Sequence, residues 1–260
     1  MLKVFFGFDD TDTRDSLYGT GKLVRWFQNE LPGACRCLGV VRQQLLVSDA
    51  IPYTSHNSSA CLIAEVPEAD LLPEMIDRAA NHLRHFAMDG SDPGLCVAAE
   101  TDASLASLVE FGHFCARAVA TQKQALAAAG KVHLSGHGGT NDGIIGAAAA
   151  VGLTMTGWSG RYIEFGDLRC LPDEVSVSEL IRMGVQVVSM ERDAALPAPD
   201  DRVVTNGWLR PRLLGNSPVL FVNPLEKGRW QNIYRKRRKL IKPPAASVKQ
   251  SSSILKELSE

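Results

Sequence analysis

The sequence predicts an α/β (α+β) protein. Short apolar runs with strand character at 2–8, 59–66 and 95–99 alternate with longer amphipathic or alanine-rich stretches at 19–30, 69–88, 103–129 and 143–151. Apolar residues make up 45% of the 260 and charged residues 22%, enough for a substantial core and ordinary for a globular chain. A cluster of short β-rich pieces then fills 202–234. This composition excludes a disordered, collagen-like or disulfide-stapled chain.

Residues 2–8 (LKVFFGF) form a buried strand stopped by acids, and 19–30 form a helix with Leu23, Val24, Trp26 and Phe27 on one side, ended by Pro32-Gly33. A β-rich stretch follows at 36–47, then a strand at 59–66. In 69–88, Leu72, Met75, Ile76, Leu83 and Phe86 keep helical spacing, and Pro73 sits in the first turn, where it is tolerated. A short strand at 95–99 and a single long helix at 103–129 complete a β-α-β-α order that fits a ferredoxin-like unit over 59–129. The glycine-rich stretch after His133 is expected to be a loop opening a small-residue helix at 143–151. Residues 161–167 and 184–190 are strand-like, 195–201 (ALPAPDD) is a linker, and 201–242 is a small basic β subdomain with turns at Gly215-Asn216 and Lys227-Gly228. The tail 243–260 is expected to be mobile.

No stretch approaches the roughly 18 apolar residues of a membrane span, and the N-terminus reaches acids within nine residues, so a cytoplasmic chain that binds no membrane is expected. Six scattered cysteines without a C-x-x-C pair and six histidines without H-E-x-x-H give no zinc signature. Residues 1–200 carry 15 Lys+Arg against 25 Asp+Glu, a net of −10, whereas 201–242 carry 11 against 2, a net of +9. In 229–239 (RWQNIYRKRRK), Trp230 and Tyr234 accompany five consecutive cations, a pattern that serves RNA or simply a solvated tail.

Three segments carry chemistry. Asp9-Asp10-Thr11-Asp12 follows a strand directly, and three carboxylates in four residues repel unless a cation or hydrogen bonds offset them. Asp9, Asp10 and Asp12 are therefore candidate Mg²⁺ ligands and catalytic acids; the alternative is an acidic turn capping a helix. Gly136, Gly138, Gly139, Thr140, Asn141, Asp142 and Gly143 form a loop in which four glycines free backbone N–H groups before a helix N-terminus, a setting for ATP phosphates. Here the alternative is a turn before a tightly packed helix, and Asp142 opposes a phosphate. The hydroxyl-rich stretch 51–59 offers Tyr53, His56 and Asn57 as substrate-binding residues, or a solvated loop.

Taken together, D-D-T-D-T at 9–13, I-P-Y-T-S-H-N at 51–57 and G-I-I-G-A at 143–147 running to Gly152 resemble, in order and spacing over about residues 3–165, the N-terminal catalytic half of the archaeal tRNA-isoleucine agmatidine synthetases. The resemblance implies a kinase-like α/β domain (1–58 and 130–200) combined with a ferredoxin-like part (59–129). It implies an ATP- and Mg²⁺-dependent phosphoryl-transfer or activating enzyme acting on an RNA nucleobase or a small amide-like acceptor. Gly19-Thr20-Gly21-Lys22-Leu23 occupies the position of the family's G-M-C-T-T, with Lys22 in place of a threonine, so Lys22 is assigned to support charge during transfer. The family's zinc ribbon has no counterpart in this sequence. The second reading is a non-catalytic RNA- or nucleotide-binding protein that uses the basic segment, and a third is a subunit whose basic strip docks an acidic partner.

Overall fold

The computed structural model describes residues 1–51, 56–191 and 196–233. In chain order the elements are β1 (Leu2–Asp9), α1 (Thr20–Phe27), β2 (Arg36–Gln44), β3 (Ser58–Val66), α2 (Leu72–Phe86), β4 (Gly94–Ala99), α3 (Leu105–Cys115), α4 (Gln122–Ala129), β5 (His133–Gly136), α5 (Gly143–Met155), β6 (Arg161–Glu164), β7 (Glu174–Ser176), α6 (Val177–Arg182), β8 (Gln186–Ser189), β9 (Arg202–Val204), β10 (Arg212–Leu214), β11 (Ser217–Glu226) and β12 (Arg229–Asn232). The α/β (α+β) expectation holds. Among the described residues all strands join one mixed sheet, ordered β5-β4-β1-β3-β2-β6-β10-β11-β12-β9-β7, with β8 beside β11. The sheet runs across the expected boundaries near residues 58, 130 and 200.

Alternation along β1 explains the layering. Val4, Phe6 and Phe8 point to one face and pack under α1 and α2 with Leu23, Phe27, Met75 and Leu83. Phe5 points to the other and packs under α3, α4 and α5 with Cys61, Ile63 and Ala147. A sheet covered on both faces needs the continuous apolar run seen in the sequence. Helix α5 lies directly on the strands because its residues are small: Ala147 to Ala150 are fully buried, and a Cβ added to Gly7 of β1 would stand 2.1 Å from the Ala147 carbonyl oxygen. The β10–β11 turn is built by Gly215 and Asn216, both at φ +59°, which only glycine and asparagine accept readily.

The expected helix 103–129 is instead two. Thr121 starts α4 with a capping box: its hydroxyl accepts the Gln124 N–H at 3.3 Å, and the Gln124 side chain accepts the Thr121 N–H at 2.9 Å. The reset of the backbone at 116–121 creates a loop where alanine content alone suggested continuity. Thr121→Ala is expected to cost about 1 kcal/mol, seen as a lower denaturation midpoint; an unchanged midpoint would remove the cap from the account of this break. Two further elements escaped the sequence reading. Residues 133–136, taken for loop, are the edge strand β5, and α6 follows Ser176, whose hydroxyl accepts the Glu179 N–H at 3.1 Å. The C-terminal strands and α6 enclose their own core of Val175, Val177, Leu180, Val203, Leu220, Val222 and Trp230. No helix among the described residues is long and apolar enough to cross a membrane.

Candidate active site

A cavity of about 640 Å³ opens where β1 ends. Its wall is drawn from five places in the sequence: 9–14 with Thr20, the flanks of the 51–58 stretch, Gly90–Asp92, the 115–122 break between α3 and α4, and the start of α5 at Asp142, Ile145 and Gly146. Asp9, Asp10, Asp12, Asp92 and Asp142 all face this space, and Arg14 is the sole lysine or arginine among the described residues lining it. The acidic segment and the start of α5, more than 130 residues apart in the chain, do meet: a Cβ on Gly146 would fall 1.8 Å from an Asp9 carboxylate oxygen.

Local structure fixes each acid. Asp10 takes the left-handed turn that ends β1, at φ +51°, an unusual conformation for a residue with a side chain. Thr11 is fully buried, and its hydroxyl donates to the Thr20 hydroxyl at 3.1 Å. The Asp12 carboxylate accepts both the Thr20 N–H and the Thr20 O–H at 3.1 Å, so Asp12 caps the N-terminus of α1. Burial, with the charges of Asp10 and Asp12 adding to it, pushes the Asp9 carboxyl up to about 8. Burial followed by the charges of Asp92, Asp12 and Asp142 raises Asp10 to about 6. Cys115, also in the wall, is raised to about 12 by burial and then by Asp9.

The glycine loop meets the acidic segment in a different way from the sequence expectation. Of Gly136, Gly138, Gly139, Thr140, Asn141, Asp142 and Gly143, Asp142 alone lines the cavity. The loop's donors serve the protein: Thr140 N–H reaches Asp92 Oδ1 at 2.5 Å, His137 N–H the Pro93 carbonyl at 2.7 Å, and Gly143 N–H the Asp92 carbonyl at 3.0 Å. The glycines are needed for close packing on the 91–94 turn. A Cβ on Gly139 would overlap the Asp92 carboxylate, and one on Gly143 would stand 2.1 Å from the Asp92 carbonyl. The packed-turn alternative describes this backbone.

Lys22 is not in the cavity wall; its ammonium stands 5.1 Å from the Trp26 ring and 5.8 Å from that of Tyr18. His56 and Asn57 do line the cavity, and Asn57 also closes the loop base by donating to the Leu46 carbonyl at 2.7 Å. Tyr53 lies outside the described residues, as do Tyr234, the cation run 235–239 and the tail 243–260. The described part of the basic segment is engaged within the fold: Arg229 pairs with Glu174 and Glu226, and Arg210 stacks 4.3 Å from the Trp208 ring centre. The sequence reading missed Asp92 and the 115–122 break. Ser91-Asp92-Pro93-Gly94 before a strand was the available signal for the first, and Thr121-x-x-Gln124 for the second.

Among the described residues no group of three or more His, Cys, Asp or Glu side chains is arranged to hold a metal ion. Mg²⁺ does not require one, since it uses one or two carboxylates and completes its shell with water and phosphate oxygens. Two partly buried carboxylates raised well above their ordinary range by burial and by their neighbours fit that demand; Asp12 is already committed to α1.

Fold and cavity define a mixed α/β protein whose candidate site lies where the first strand meets the last helix of a three-layer unit. Solved structures with this arrangement exist for TiaS, the agmatidine synthetase that acts on an isoleucine tRNA. Its complex with that tRNA and ATP matches at TM-score 0.50 and 24% identity, over 58% of this chain and 36% of that one. The apo enzyme matches at 0.48 and 24%, and a tRNA fluorescent labeling enzyme at 0.49 and 25%, again over 58% of this chain. The chain therefore spans about a third of the length of these structures and shares the TiaS fold over that part. No family model and no curated protein matches the chain.

Proposed function

We propose that this chain is an ATP- and Mg²⁺-using enzyme that activates an RNA nucleobase or a small amide-like acceptor by phosphoryl transfer, and that the cavity at the end of β1 is its active site. The observation carrying this reading is the convergence of Asp9, Asp10, Asp92 and Asp142 on one solvent-connected space, with two of those carboxyls raised by burial and mutual repulsion. The solved complex with the same fold contains ATP and a tRNA, which agrees with this substrate pair.

Asp9 and Asp10 would hold Mg²⁺, which on binding supplies positive charge shared between carboxylates and phosphate oxygens. Asp12 positions α1 and keeps Thr20 at the cavity wall. Asp92 locks the 137–143 turn through Thr140. Arg14 at the mouth is the available guanidinium for an entering phosphate. Leu45, Ile51, Val119 and Ile145 give the wall an apolar side that excludes water and suits the face of a base. The glycine turn, with its donors engaged, acts by placing Asp142 and Gly146.

Calorimetry with Mg-ATP tests the assignment. Wild type should bind saturably, chelation of Mg²⁺ should abolish binding, and Asp10→Asn should weaken it by ~10-fold or more, the usual effect of removing a metal-supporting group. Absence of binding by wild type, or equal affinity in Asp10→Asn, would overturn the reading.

A further inference from the structure

At the far edge of the sheet, β5 pairs only with β4, and its side chains alternate. His133 and Ser135 stand in register with Val97 and Leu95, on the face covered by α2. His137 follows one residue beyond the strand, held by its N–H to the Pro93 carbonyl at 2.7 Å. The three side chains converge. His133 Nε2 lies 2.9 Å from Ser135 Oγ, and His137 Nε2 lies 2.8 Å from the same oxygen. All three are partly exposed.

We propose that His133, Ser135 and His137 form a chelating site for one late first-row divalent cation, of the Zn²⁺, Ni²⁺ or Cu²⁺ class, on the open edge of β5. Two imidazole nitrogens aimed at one point are the donor set these ions favour, whereas Mg²⁺ seeks oxygens. The hydroxyl between them is a third, weaker oxygen donor. A hydroxyl can donate only one proton, so it pairs with one ring nitrogen as acceptor and the other as donor. Moving the second ring's proton to Nδ1 turns both Nε2 lone pairs to the same point. Burial holds both imidazoles below the ordinary histidine range. At His133 the Asp77 carboxylate of α2 opposes that shift, and at His137 Arg84 of α2 and His133 itself add to it. Both rings are therefore neutral at pH 7, the form that ligates metal. Two imidazoles and one hydroxyl are the whole protein set, so water completes the shell. The bound ion would tie the edge strand to the first residue of the 137–143 turn. Nucleotide use in the cavity is independent of this site, because none of the three residues lines that space.

The test uses the full-length protein and Ni²⁺ alone as probe, by calorimetry at pH 7.5 in a non-chelating buffer. One equivalent should bind. His133→Ala and His137→Ala should each weaken it by ~10-fold or more, the ordinary cost of losing ligand support. Ser135→Ala should retain binding within a few-fold, since both imidazoles remain. His85→Ala and Cys170→Ser, which change other exposed donors, should match wild type. Circular dichroism of each variant checks the fold. If a histidine variant is misfolded, line broadening of the His133 and His137 ring protons by Ni²⁺ in wild-type NMR spectra decides the matter. Lack of saturable binding, undiminished binding in the two histidine variants, or broadening confined to other histidines would overturn the proposal.

Discussion

In chelator-treated, metal-free buffer at pH 8, Asp9→Asn should melt at a higher temperature than wild type, and the advantage should shrink steadily toward pH 4. The folded protein holds this carboxyl up near 8, against an ordinary value of 3.8. A raised acid binds its proton more tightly when folded. Its contribution is thus complete below the unfolded value and is lost as pH rises to the folded one. Each unit is worth about 1.4 kcal/mol. The side chain is partly open to water, so roughly half the full amount, ~2–3 kcal/mol at pH 8, is the reasonable expectation. Asp10, raised to about 6, leaves a smaller slope of the same sign between pH 4 and 6 in the variant. Melting curves that run parallel for the two proteins from pH 4 to 8 would mean that Asp9 is solvated and ionised when folded.

Gly7→Ala should be the most damaging single methyl in the chain's first half. The new Cβ would lie 2.1 Å from the Ala147 carbonyl oxygen and 2.8 Å from Val151 Cγ2. Neither side can yield easily. β1 is bonded to β3 on one edge and β4 on the other, and α5 is packed in turn against α3, where a Cβ on Gly152 would meet the Leu108 carbonyl at 1.9 Å. Overpacking in such settings costs about 1–3 kcal/mol and sometimes more; a backbone clash at the centre of three layers belongs at the upper end. Because Gly146 sits on the same helix against Asp9, any outward shift of α5 also opens the cavity floor. Gly33→Ala, where nothing lies within 4 Å, is the control. Equal urea midpoints for the two variants would contradict the close approach of α5 to β1.

Much of the architecture was legible because it follows from periodicity. The strands at 2–8, 59–66 and 95–99 and the helix on Leu72, Met75 and Leu83 are where apolar spacing put them. What failed did so for identifiable reasons. Alanine content extends a helix prediction through any break, and the break at 116–121 is decided by one threonine and one glutamine. HLSG has too few apolar residues to announce β5, which exists because β4 needs a partner. At the site, the acidic cluster at the end of β1 was visible from sequence, and so was the alternative role of capping, which Asp12 fulfils. The glycines of 136–143 could not be interpreted from sequence, since a loop that approaches a ligand and a loop that approaches another loop need the same missing Cβ. Asp92 decides the case here, and its carboxylate was 48 residues away from the threonine it holds.

The sheet is narrow at one place. β6 and β10 share a single register pair, Arg161 with Arg212, reinforced by the Tyr162 N–H to the Pro211 carbonyl at 2.8 Å and the Leu213 N–H to the Gly160 carbonyl at 3.2 Å. Two guanidinium groups facing each other across a rung repel, and Arg42 extends the same rung on β2. Where twelve strands hang together by so few bonds, with like charges at the join, the molecule has a built-in fault line. The amide protons of Tyr162 and Leu213 should exchange with solvent sooner than those of β1 and β3, and the C-terminal strands should part from the rest as one piece.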